Sequence, residues 1–563
     1  MEEFTKAQKG RVAIRNFKIT ADALALRGVY RPSGRSGQTL AQALRMLSPE
    51  IYGVMNDPRI IELKGLEYVI DRLPKGIEEC RRIILTAQEE LEGTSFEKIY
   101  PAKRRRASYR VSEDEICFVI TRGISEIYDL ITHLTFLNIE AGKIRNQMSE
   151  QSGKSTLEWL NLENTIARES SLSPSELDRA IWNLSMILGR TYHETMETYE
   201  YLESGRKGAR SNRGLFKIIH DLGKRVKEEE DSNDKKLTIH FTPALKEIIG
   251  HQIYGKKWAG EVKERIILLN LDKRPLHIIS ANMHSVVNTL YGFAAIKDQW
   301  GEGEKRDIFQ MFLKLRNSGD AVREYALGHG LYEHHDPSGS HVDCQIIDTA
   351  KLDTVEFHPD LKIDASHINS GGPVILVMDY AFGAQAFEVM DEFLSPFTQE
   401  DVSQPFDIQS ISIMGKAGIL PGQKGDIILA TAHVIEGNAH NYPVDNDLKI
   451  EDFKDSANVY AGPIVTVLGT SLQNRDILEK FQTTTWNAVG LEMEGGHYQQ
   501  AISAAIIRKH ICSDIKLRYA YYASDNPLVS GQTLAYGAMG QEGIKPTYLI
   551  SKVILEKIFK NAV

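Results

Sequence analysis

From about residue 275 onward, short apolar runs alternate with segments of helical periodicity. The runs at 275–280 and 372–380, for example, are each followed by a helix-like segment. Several runs are apolar throughout, which is typical of strands in a sheet that helices cover on both faces. The pattern predicts an α/β domain. Further strands are predicted at 408–414, 426–432, 463–468, up to Glu494 and up to Asp525, and helices at 286–291, 385–394, 475–481, 497–509 and 547–559.

The first part of the chain has a different pattern. Apolar residues recur at helical spacing through most of 20–225, notably in 39–47, 116–137 and 177–188, and Ser173-Pro174-Ser175-Glu176 is a helix start signal. A charge-rich stretch at 224–236 separates the two patterns and is interpreted as a linker. The sequence therefore predicts an all-helical domain of unknown role at 1–235 and an α/β domain at 236–563.

Composition excludes several classes of protein. The 563 residues carry a net charge of −9, which argues against a general nucleic-acid-binding protein. No apolar run reaches the roughly 20 residues of a membrane span. The first residues lack the apolar core of a signal peptide, and four widely separated cysteines are typical of a reducing compartment. We therefore expect a cytoplasmic protein with neither nucleic acid nor membrane as partner.

One basic run, 103–106, stands out from the rest of the helical part. The favoured interpretation is a solvated loop after Pro101, and the alternative is a patch for a phosphate or a partner.

Acidic residues follow two of the predicted strands. Glu492, Met493 and Glu494 end one strand, and Ser524 and Asp525 end another. Ligands of open α/β sheets bind beyond the carboxyl ends of the strands. Two acids placed there can hold a polyol and protonate a leaving group.

Read in order, these segments resemble the nucleoside phosphorylase and nucleosidase superfamily, and within it the AMP nucleosidases. The matching elements are a glycine stretch at 414–420, a Gly-Asp strand at 425–434, a strand at 462–467, the Glu-Met-Glu run and Ser-Asp-Asn-Pro-Leu at 524–528. The resemblance covers about 370–560, extends weakly back to 275, and omits the helical part. The resemblance implies a mixed sheet flanked by helices and a homo-oligomer. It also implies that the partner is a purine nucleoside or nucleotide and that neither a cofactor nor a metal is needed.

The resemblance also implies roles for individual residues. Glu494 would grip the 2′- and 3′-hydroxyls of a ribose, with Met493 lying along the sugar. Asp525 would protonate N7 of a purine, oriented by Ser524. Glu492 would assist at the ribose or cap the following helix. Helix capping or buried ion pairing is the alternative for Glu494 and Asp525.

The glycine stretch departs from the phosphorylases, which carry an arginine two residues before the first glycine and a serine or threonine after it. Ile413 and Lys416 occupy these positions. Lys416 can bind phosphate as a point charge, and Gly415 and Gly418 allow an anion close to the backbone. This combination favours hydrolysis over phosphorolysis, or a phosphate on the substrate itself. The alternative is a structural loop with an exposed lysine.

The residue that activates water is not identified by the motifs. His284, Asn282 and Glu333 are candidates by position only, and His284 is equally consistent with a structural role. Asp379 and Gly383 follow a strand and are expected to line the cleft.

A histidine-rich segment has three interpretations: a lid or substrate contact, a plain surface loop, and a metal site, although its spacings fit no zinc signature. Its candidate residues are His329, His334, His335, Asp336, His341 and Cys344.

Three functions remain open from the sequence. The favoured one is a nucleosidase that cleaves the N-glycosidic bond of a purine nucleoside or nucleotide. The second is a phosphorylase whose phosphate site is rebuilt around Lys416, using inorganic phosphate. The third is a nucleotide-sensing or scaffold protein without turnover.

Overall fold

A computed structural model describes the chain except for residues 1–3, 88–90, 92, 105, 151, 170–171, 207–210, 251, 298–306, 317, 364–370, 400–401, 454–456, 530–539 and 561–563. The chain divides into two compact units. Unit 1 comprises Met1–His251 and Ser471–Ile477, and unit 2 comprises Gln252–Thr470 and Leu478–Val563.

Unit 1 combines helices with a sheet. Its helices are α1 (Lys6–Arg27), α2 (Arg35–Leu47), α3 (Leu63–Ile70), α4 (Ile124–Gln147), α5 (Leu157–Arg168), α6 (Pro174–Leu188), α7 (Tyr192–Ser204), α8 (Leu215–Asp231) and α9 (Pro243–Ile248). Its strands are β1 (Val29–Tyr30), β2 (Arg82–Thr86), β3 (Glu97–Ile99), β4 (Ala107–Ser112), β5 (Glu115–Val119) and β6 (Thr238–Phe241). The strands form one sheet in the order β1-β6-β2-β5-β4-β3.

The prediction that this part is all-helical was therefore wrong in one respect. The helices at 39–47 and 177–188 are present, and Ser173 and Glu176 form the expected capping box. The predicted helix at 116–137 divides into β5 and α4, however. A short apolar run such as 116–120 is compatible with a buried strand and with a buried helix. In the structure this run pairs with β2 and β4 and is therefore a strand.

The predicted linker at 224–236 was also wrong. Most of it is the last part of α8, where Arg225 and Glu229 are both buried. The strand β6 then pairs with β1 and β2, so the chain is still part of unit 1 at residue 241. A stretch rich in charge predicts a linker, but one face of this helix is packed.

The described members of the basic run, of which Lys103 is exposed, pair with carboxylates and do not form a free phosphate patch. Arg106 is 2% exposed and binds Glu126 and Asp129, and Arg104 binds Asp129. The Lys103 ammonium lies 2.6 Å from Asp71. Residue 105 lies outside the described residues. These cations neutralise carboxylates within unit 1.

Unit 2 is an α/β domain. Its helices are α10 (Ile253–Leu268), α11 (Ser285–Ile296), α12 (Ile308–Leu315), α13 (Gly319–Gly328), α14 (Gln385–Leu394), α15 (Arg475–Thr483, whose first residues are assigned to unit 1), α16 (Gly495–Ile507) and α17 (Ile544–Lys560). Its strands are β7 (Leu276–Ser280), β8 (Leu331–His334), β9 (Cys344–Asp348), β10 (Val374–Met378), β11 (Phe397–Gln399), β12 (Val402–Gln404), β13 (Ile408–Ile419), β14 (Ile427–Ile435), β15 (Asn441–Pro443), β16 (Val459–Thr466), β17 (Gly490–Glu492) and β18 (Lys516–Asp525).

Ten strands of unit 2 form one mixed sheet within the described residues. Its order is β15-β14-β16-β17-β13-β7-β10-β9-β8, and β18 pairs with both β13 and β14. The strands β7, β10, β13 and β18 are mutually parallel neighbours, so their carboxyl ends lie at the same edge. The strands β9 and β17 run antiparallel to β10 and β13.

Both faces of this sheet are covered by helices, as the apolar runs predicted. Every residue of β7 and of β10 is buried. One face packs with Trp258 of α10, Met390 of α14 and Ile502 of α16, and the other packs with Leu290 of α11 and Ile554 of α17. None of the described helices has the length and apolarity needed to cross a membrane.

Candidate functional site

Three strands meet at Gly418. In β13 this glycine is opposite Leu491 of β17 on one side and Asp525 of β18 on the other. A Cβ atom here would lie 2.9 Å from Leu491 Cδ2, so a larger residue would separate the strands. The predicted glycine loop is not a loop, because Gly415, Lys416 and Gly418 all lie within β13, where pairing with β18 keeps the backbone extended.

Glu494 lies one residue before α16, beyond the end of β17. The Gly383 amide donates a hydrogen bond of 2.9 Å to its Oε1 atom. Gly383 has a φ of 57°, in the left-handed region that favours glycine. Burial, followed by the nearby charge of Glu492, raises the pKa of Glu494 to about 8. This carboxyl group therefore titrates close to neutral pH.

Glu492 is buried and fully engaged. Its carboxylate accepts hydrogen bonds of 2.5 Å from Thr466 Oγ1 and from the Glu494 amide, and a further one from the Gly495 amide. The Nδ1 atom of His433 lies 3.4 Å away. Burial acts to raise the pKa of Glu492, but these contacts together hold it below its usual value. Of its two predicted roles, capping of the following helix describes these contacts.

Asp525 ends β18 and is 6% exposed. Ser524 Oγ lies 2.6 Å from Asp525 Oδ1, as expected for an orienting hydroxyl, and 3.2 Å from the Ala417 carbonyl oxygen. The Asp525 Oδ2 atom is buried and has no hydrogen-bond partner among the described residues. Burial raises the pKa of Asp525 to about 6. A buried oxygen without a partner is costly, so this atom is available to a ligand.

Lys416 is exposed, and its positive charge acts on both Glu494 and Asp525. Burial raises the pKa of Glu494 and of Asp525, and the positive charge of Lys416 opposes that rise at both carboxyl groups. One cation therefore lies near both acids. Met493, between the two glutamates, is half-buried. Ile413 is buried, as predicted for the position at which phosphorylases carry an arginine.

A cavity of about 770 Å³ lies beyond the carboxyl end of β7, and Glu494, Asp525 and Lys416 are not among its described lining residues. Tyr522, which pairs with Lys416 in the register of β13 and β18, is one of its lining residues. His284, exposed at the start of α11, and Asn282, which accepts a hydrogen bond of 2.8 Å from the Ser285 amide, also line it. Asp379 lies near His284. The three-strand junction and this cavity thus share one edge of the sheet.

Glu333 lines the same cavity but is engaged by Arg323, whose Nε atom lies 2.8 Å and 3.0 Å from its two oxygens. A carboxylate held in this way is a poor candidate for the base that activates water. Among the described residues, no carboxylate forms a comparable ion pair with His284, although the charge of Asp379 acts on it.

The histidine-rich segment forms a hairpin of β8 and β9 at the edge of the sheet. The Asp336 carboxylate accepts from the amides of Ser338 and Val342 in its turn, His335 lies 3.4 Å from Asp343, and Cys344 is buried. His329 stacks on Tyr325 at 4.1 Å. Among the described residues no group of three or more histidine, cysteine, aspartate or glutamate side chains is arranged to hold a metal ion.

Sequence reasoning missed the residues that position the acids. His433 and Thr466 hold Glu492, and the side chain of Asn526 donates to the carbonyl groups of Leu420 and Gly422, which fixes the turn after β13. Thr466 is the last residue of β16, which runs parallel to β17. Its position at the end of a strand was the one signal in the sequence that could have identified it. His433 gave no signal, because its partner lies 59 residues away in sequence.

Solved structures similar to this chain each match about half of it. A putative methylthioadenosine nucleosidase from Weissella paramesenteroides is 13% identical and matches over 51% of this chain and 100% of its own, with a TM-score of 0.29. A 5′-methylthioadenosine/S-adenosylhomocysteine nucleosidase from Campylobacter jejuni is 13% identical over 51% of this chain and 99% of its own, with a TM-score of 0.31. A uridine phosphorylase from Schistosoma mansoni is 13% identical and matches over 53% of this chain and 89% of its own, with a TM-score of 0.30.

The sequence comparisons give a family but no function. No curated protein matches the chain. A model of a family of unknown function, DUF6909, matches residues 38–300 and 308–560, which include parts of both units. The chain therefore belongs to the DUF6909 family.

Proposed function

We propose that unit 2 cleaves the N-glycosidic bond of a purine nucleoside or nucleotide, as a nucleosidase. The observation that carries this proposal is the Asp525 carboxyl group, which has a buried oxygen without a partner and a pKa raised to about 6. A carboxyl group of that pKa holds a proton in a useful fraction of molecules near neutral pH and can donate it to a leaving group.

Glu494 is assigned to the ribose. Its Oε1 atom is fixed by the Gly383 amide, so the carboxyl group is oriented before a sugar binds. Ionised, it accepts hydrogen bonds from the 2′- and 3′-hydroxyls and offsets positive charge that develops on the sugar ring. Met493 supplies an adaptable apolar surface for the sugar.

The reaction is a displacement at C1′. The bond between C1′ and N9 breaks, its electron pair passes to the purine, and the Asp525 proton goes to N7. Water attacks C1′ and loses one proton, so the products are the free base and the free sugar or sugar phosphate. His284 is the proposed acceptor of that proton, because it is exposed in the cavity, whereas Glu333 is bound to Arg323.

A phosphorylase is the second candidate, and Lys416 favours it. The ammonium group is exposed and acts on both acids, where it can bind inorganic phosphate beneath C1′ or a phosphate carried by the substrate. Since Ile413 is buried at the position of the phosphorylase arginine, hydrolysis is the preferred proposal.

Chromatography of the purified protein after incubation with AMP, adenosine, inosine, guanosine and methylthioadenosine, each with and without inorganic phosphate, tests the proposal. Base release without phosphate is the expected result. Release that requires phosphate would replace the nucleosidase by the phosphorylase. Tight binding without release from any substrate would instead support a nucleotide sensor.

A Glu494→Ala variant tests the ribose assignment in the same assay. We expect both weaker binding of ribosides and slower release, because the same hydrogen bonds act in the ground state and the transition state. If the wild-type protein bound free bases as tightly as ribosides, the assignment of Glu494 to the sugar would be wrong.

A further inference from the structure

Unit 1 contains a cavity that no part of the proposed function uses. Its volume is about 1020 Å³, and all of its lining residues belong to unit 1. The wall is built from the end of α1, the strand β1, the loop that leads into α2, and the starting residues of β2, β5 and β6. Pockets for small molecules have volumes of roughly 300–1,000 Å³, so this cavity accommodates a metabolite. We call it the arginine cavity.

The arginine cavity is strongly basic. Three lining residues are acidic, namely Asp114, Glu115 and Asp234. Six lining residues are cationic, namely Arg27, Arg31, Arg35, Arg81, Arg82 and Lys236. The excess of positive charge contrasts with the net charge of −9 for the whole chain.

The cations fall into two groups. Arg81 is paired with Glu228, and Arg82 lies 3.6 Å from Glu115. The guanidinium groups of Arg27, Arg31 and Arg35, in contrast, have no hydrogen-bond or ion-pair partner among the described residues, and all three are exposed. Like charges held close together without counterions repel one another, and a bound anion removes that repulsion.

The wall that carries these arginines is held by backbone hydrogen bonds. The Arg81 amide donates to the Asp114 carbonyl at 2.8 Å, and the Thr238 amide donates to the Arg81 carbonyl at 2.9 Å. In the loop before α2, the Gly34 amide donates to the Arg31 carbonyl at 2.9 Å. A Cβ atom at Gly37 would overlap the backbone of Pro32, so the loop is packed against the first turn of the helix.

The start of α2 adds to the positive electrostatic potential of the arginine cavity. This helix has 13 residues and begins at Arg35, and its N-cap residue, Gly34, makes no side-chain hydrogen bond to the first turn. The amide groups of the first turn of a helix therefore offer further donors for an anion, beside Arg31 and Arg35.

We propose that the arginine cavity binds a small molecule that carries one or more phosphate groups. Planar guanidinium groups match the geometry of phosphate oxygens and bind them through paired hydrogen bonds. The concave wall and the acidic net charge of the chain favour a metabolite over a nucleic acid. The proposal does not depend on the function proposed for unit 2.

Calorimetric titration of the full chain with pyrophosphate, inorganic phosphate, ADP and adenosine tests this proposal. We expect the phosphorylated probes to bind and adenosine not to bind at this site. The Arg31→Ala/Arg35→Ala double variant should weaken pyrophosphate binding by up to about a hundredfold, since each hydrogen-bonded charge pair contributes about tenfold. The Arg31→Lys/Arg35→Lys variant keeps the positive charge but loses the paired hydrogen bonds. Its affinity for pyrophosphate should lie between that of the wild-type protein and that of the Arg31→Ala/Arg35→Ala variant.

Two controls separate this site from others. All titrations are repeated in a Lys416→Met background, so that a phosphate bound in unit 2 is recognised. The Arg15→Ala/Arg179→Ala variant removes two exposed arginines of unit 1 that do not line the cavity. Unchanged affinity in the Arg31/Arg35 variant, or an equal loss in the Arg15/Arg179 variant, would overturn the proposal.

Two further measurements need no variant. Pyrophosphate should protect Arg31 and Arg35 of the wild-type protein from modification by phenylglyoxal, as read by peptide mass spectrometry. A single-stranded oligonucleotide that displaced pyrophosphate more strongly than ADP does would show that nucleic acid, rather than a metabolite, is the ligand.

Discussion

Asp129 in unit 1 and Asp525 in unit 2 are both buried carboxylates, but their surroundings differ. Burial acts to raise the pKa of Asp129, yet Arg104, His133 and Arg106 hold it well below its usual value. Asp525 accepts a hydrogen bond from its neighbour Ser524, and burial raises its pKa to about 6. The first carboxylate is held permanently charged, whereas the second can exchange a proton near neutral pH.

Unit 2 shows the same contrast, between a carboxylate kept charged by its partners and a carboxyl group whose pKa is raised, within a stretch of three residues. Glu492 is surrounded by donors that keep its pKa low, and Glu494 has a pKa raised to about 8 by burial and by the charge of Glu492. A carboxylate that is saturated with partners contributes to the structure. A buried carboxyl group with few partners is the kind that active sites contain. Substitutions at the two kinds of carboxyl group should therefore have different effects on catalysis and on stability.

The largest effect is expected from Asp525→Asn. General acid catalysis contributes about 10²- to 10⁴-fold, so base release should become roughly a thousandfold slower while substrate binding is retained. Binding and single-turnover rates measured separately check this expectation. Unchanged turnover would remove Asp525 from the role of acid.

The matching change in the other region is Asp129→Asn. It leaves Arg104 and Arg106 without their shared carboxylate, which should lower the free energy of unfolding by about 3 kcal/mol. Urea denaturation followed by circular dichroism measures this loss. The rate of base release per folded molecule should stay within about twofold of the wild-type rate. A stable variant would show that this cluster is not needed for folding.

Glu494→Gln should stabilise the protein at alkaline pH. The pKa of the carboxyl group rises from its ordinary value of 4.5 to about 8 on folding, so the wild-type protein loses stability as the pH rises between those values. The amide cannot ionise and can still accept from the Gly383 amide. We expect a gain on the order of 1–2 kcal/mol at pH 9, reduced from the full linkage value because the side chain is only half-buried.

The gain in the Glu494→Gln variant should vanish below about pH 4, where the wild-type carboxyl group is protonated in both states. Denaturation curves at pH 4 and pH 9 give the comparison. Equal stability of variant and wild type at both values would contradict the raised pKa.

The smallest effect is a shift in the pH profile. The wild-type profile of kcat/KM should be bell-shaped, with limbs near pH 6 and pH 8 from Asp525 and Glu494. Lys416→Met removes a charge that opposes both raised values, so both limbs should move to higher pH by up to about one unit. Lys424→Met is the matched control, because Lys424 acts on Asp525 and should move the limb near pH 6.

Seven strands and five helices of unit 2 were predictable because their patterns depend on local chemistry, whereas the strands β8, β9, β11, β12 and β15 were not predicted. The helix at 385–394 has the predicted bounds, and β18 ends at Asp525 as predicted. The Ser524 hydroxyl contacts the Asp525 carboxylate, and its orienting role stays a prediction. Unit 1 was harder, because short apolar runs such as 116–120 and charged helices such as α8 are ambiguous until their neighbours are known.

Basic residues show why charge in sequence is a poor guide to a site. The contiguous run at 103–106 was the obvious candidate, and its described members are bound to carboxylates of unit 1. Among the described residues that line the arginine cavity, the guanidinium groups without a partner belong to Arg27, Arg31 and Arg35, which are spaced at intervals of four residues and gave no signal. Whether an arginine is free depends on the residues that fold against it.

The sequence by itself placed seven strands of unit 2 in order, namely β7, β10, β13, β14, β16, β17 and β18, with acids after two strand ends, since side-chain period and strand-end position are local properties. It did not show the strands β8, β9, β11, β12 and β15. The tertiary structure decided which acids share a site and which are neutralised. Glu492 and Glu494 are two residues apart, yet one caps a helix against His433 and the other can exchange its proton. The reason is physical: a pKa depends on burial and on neighbouring charges, and in a folded chain both come from residues distant in sequence.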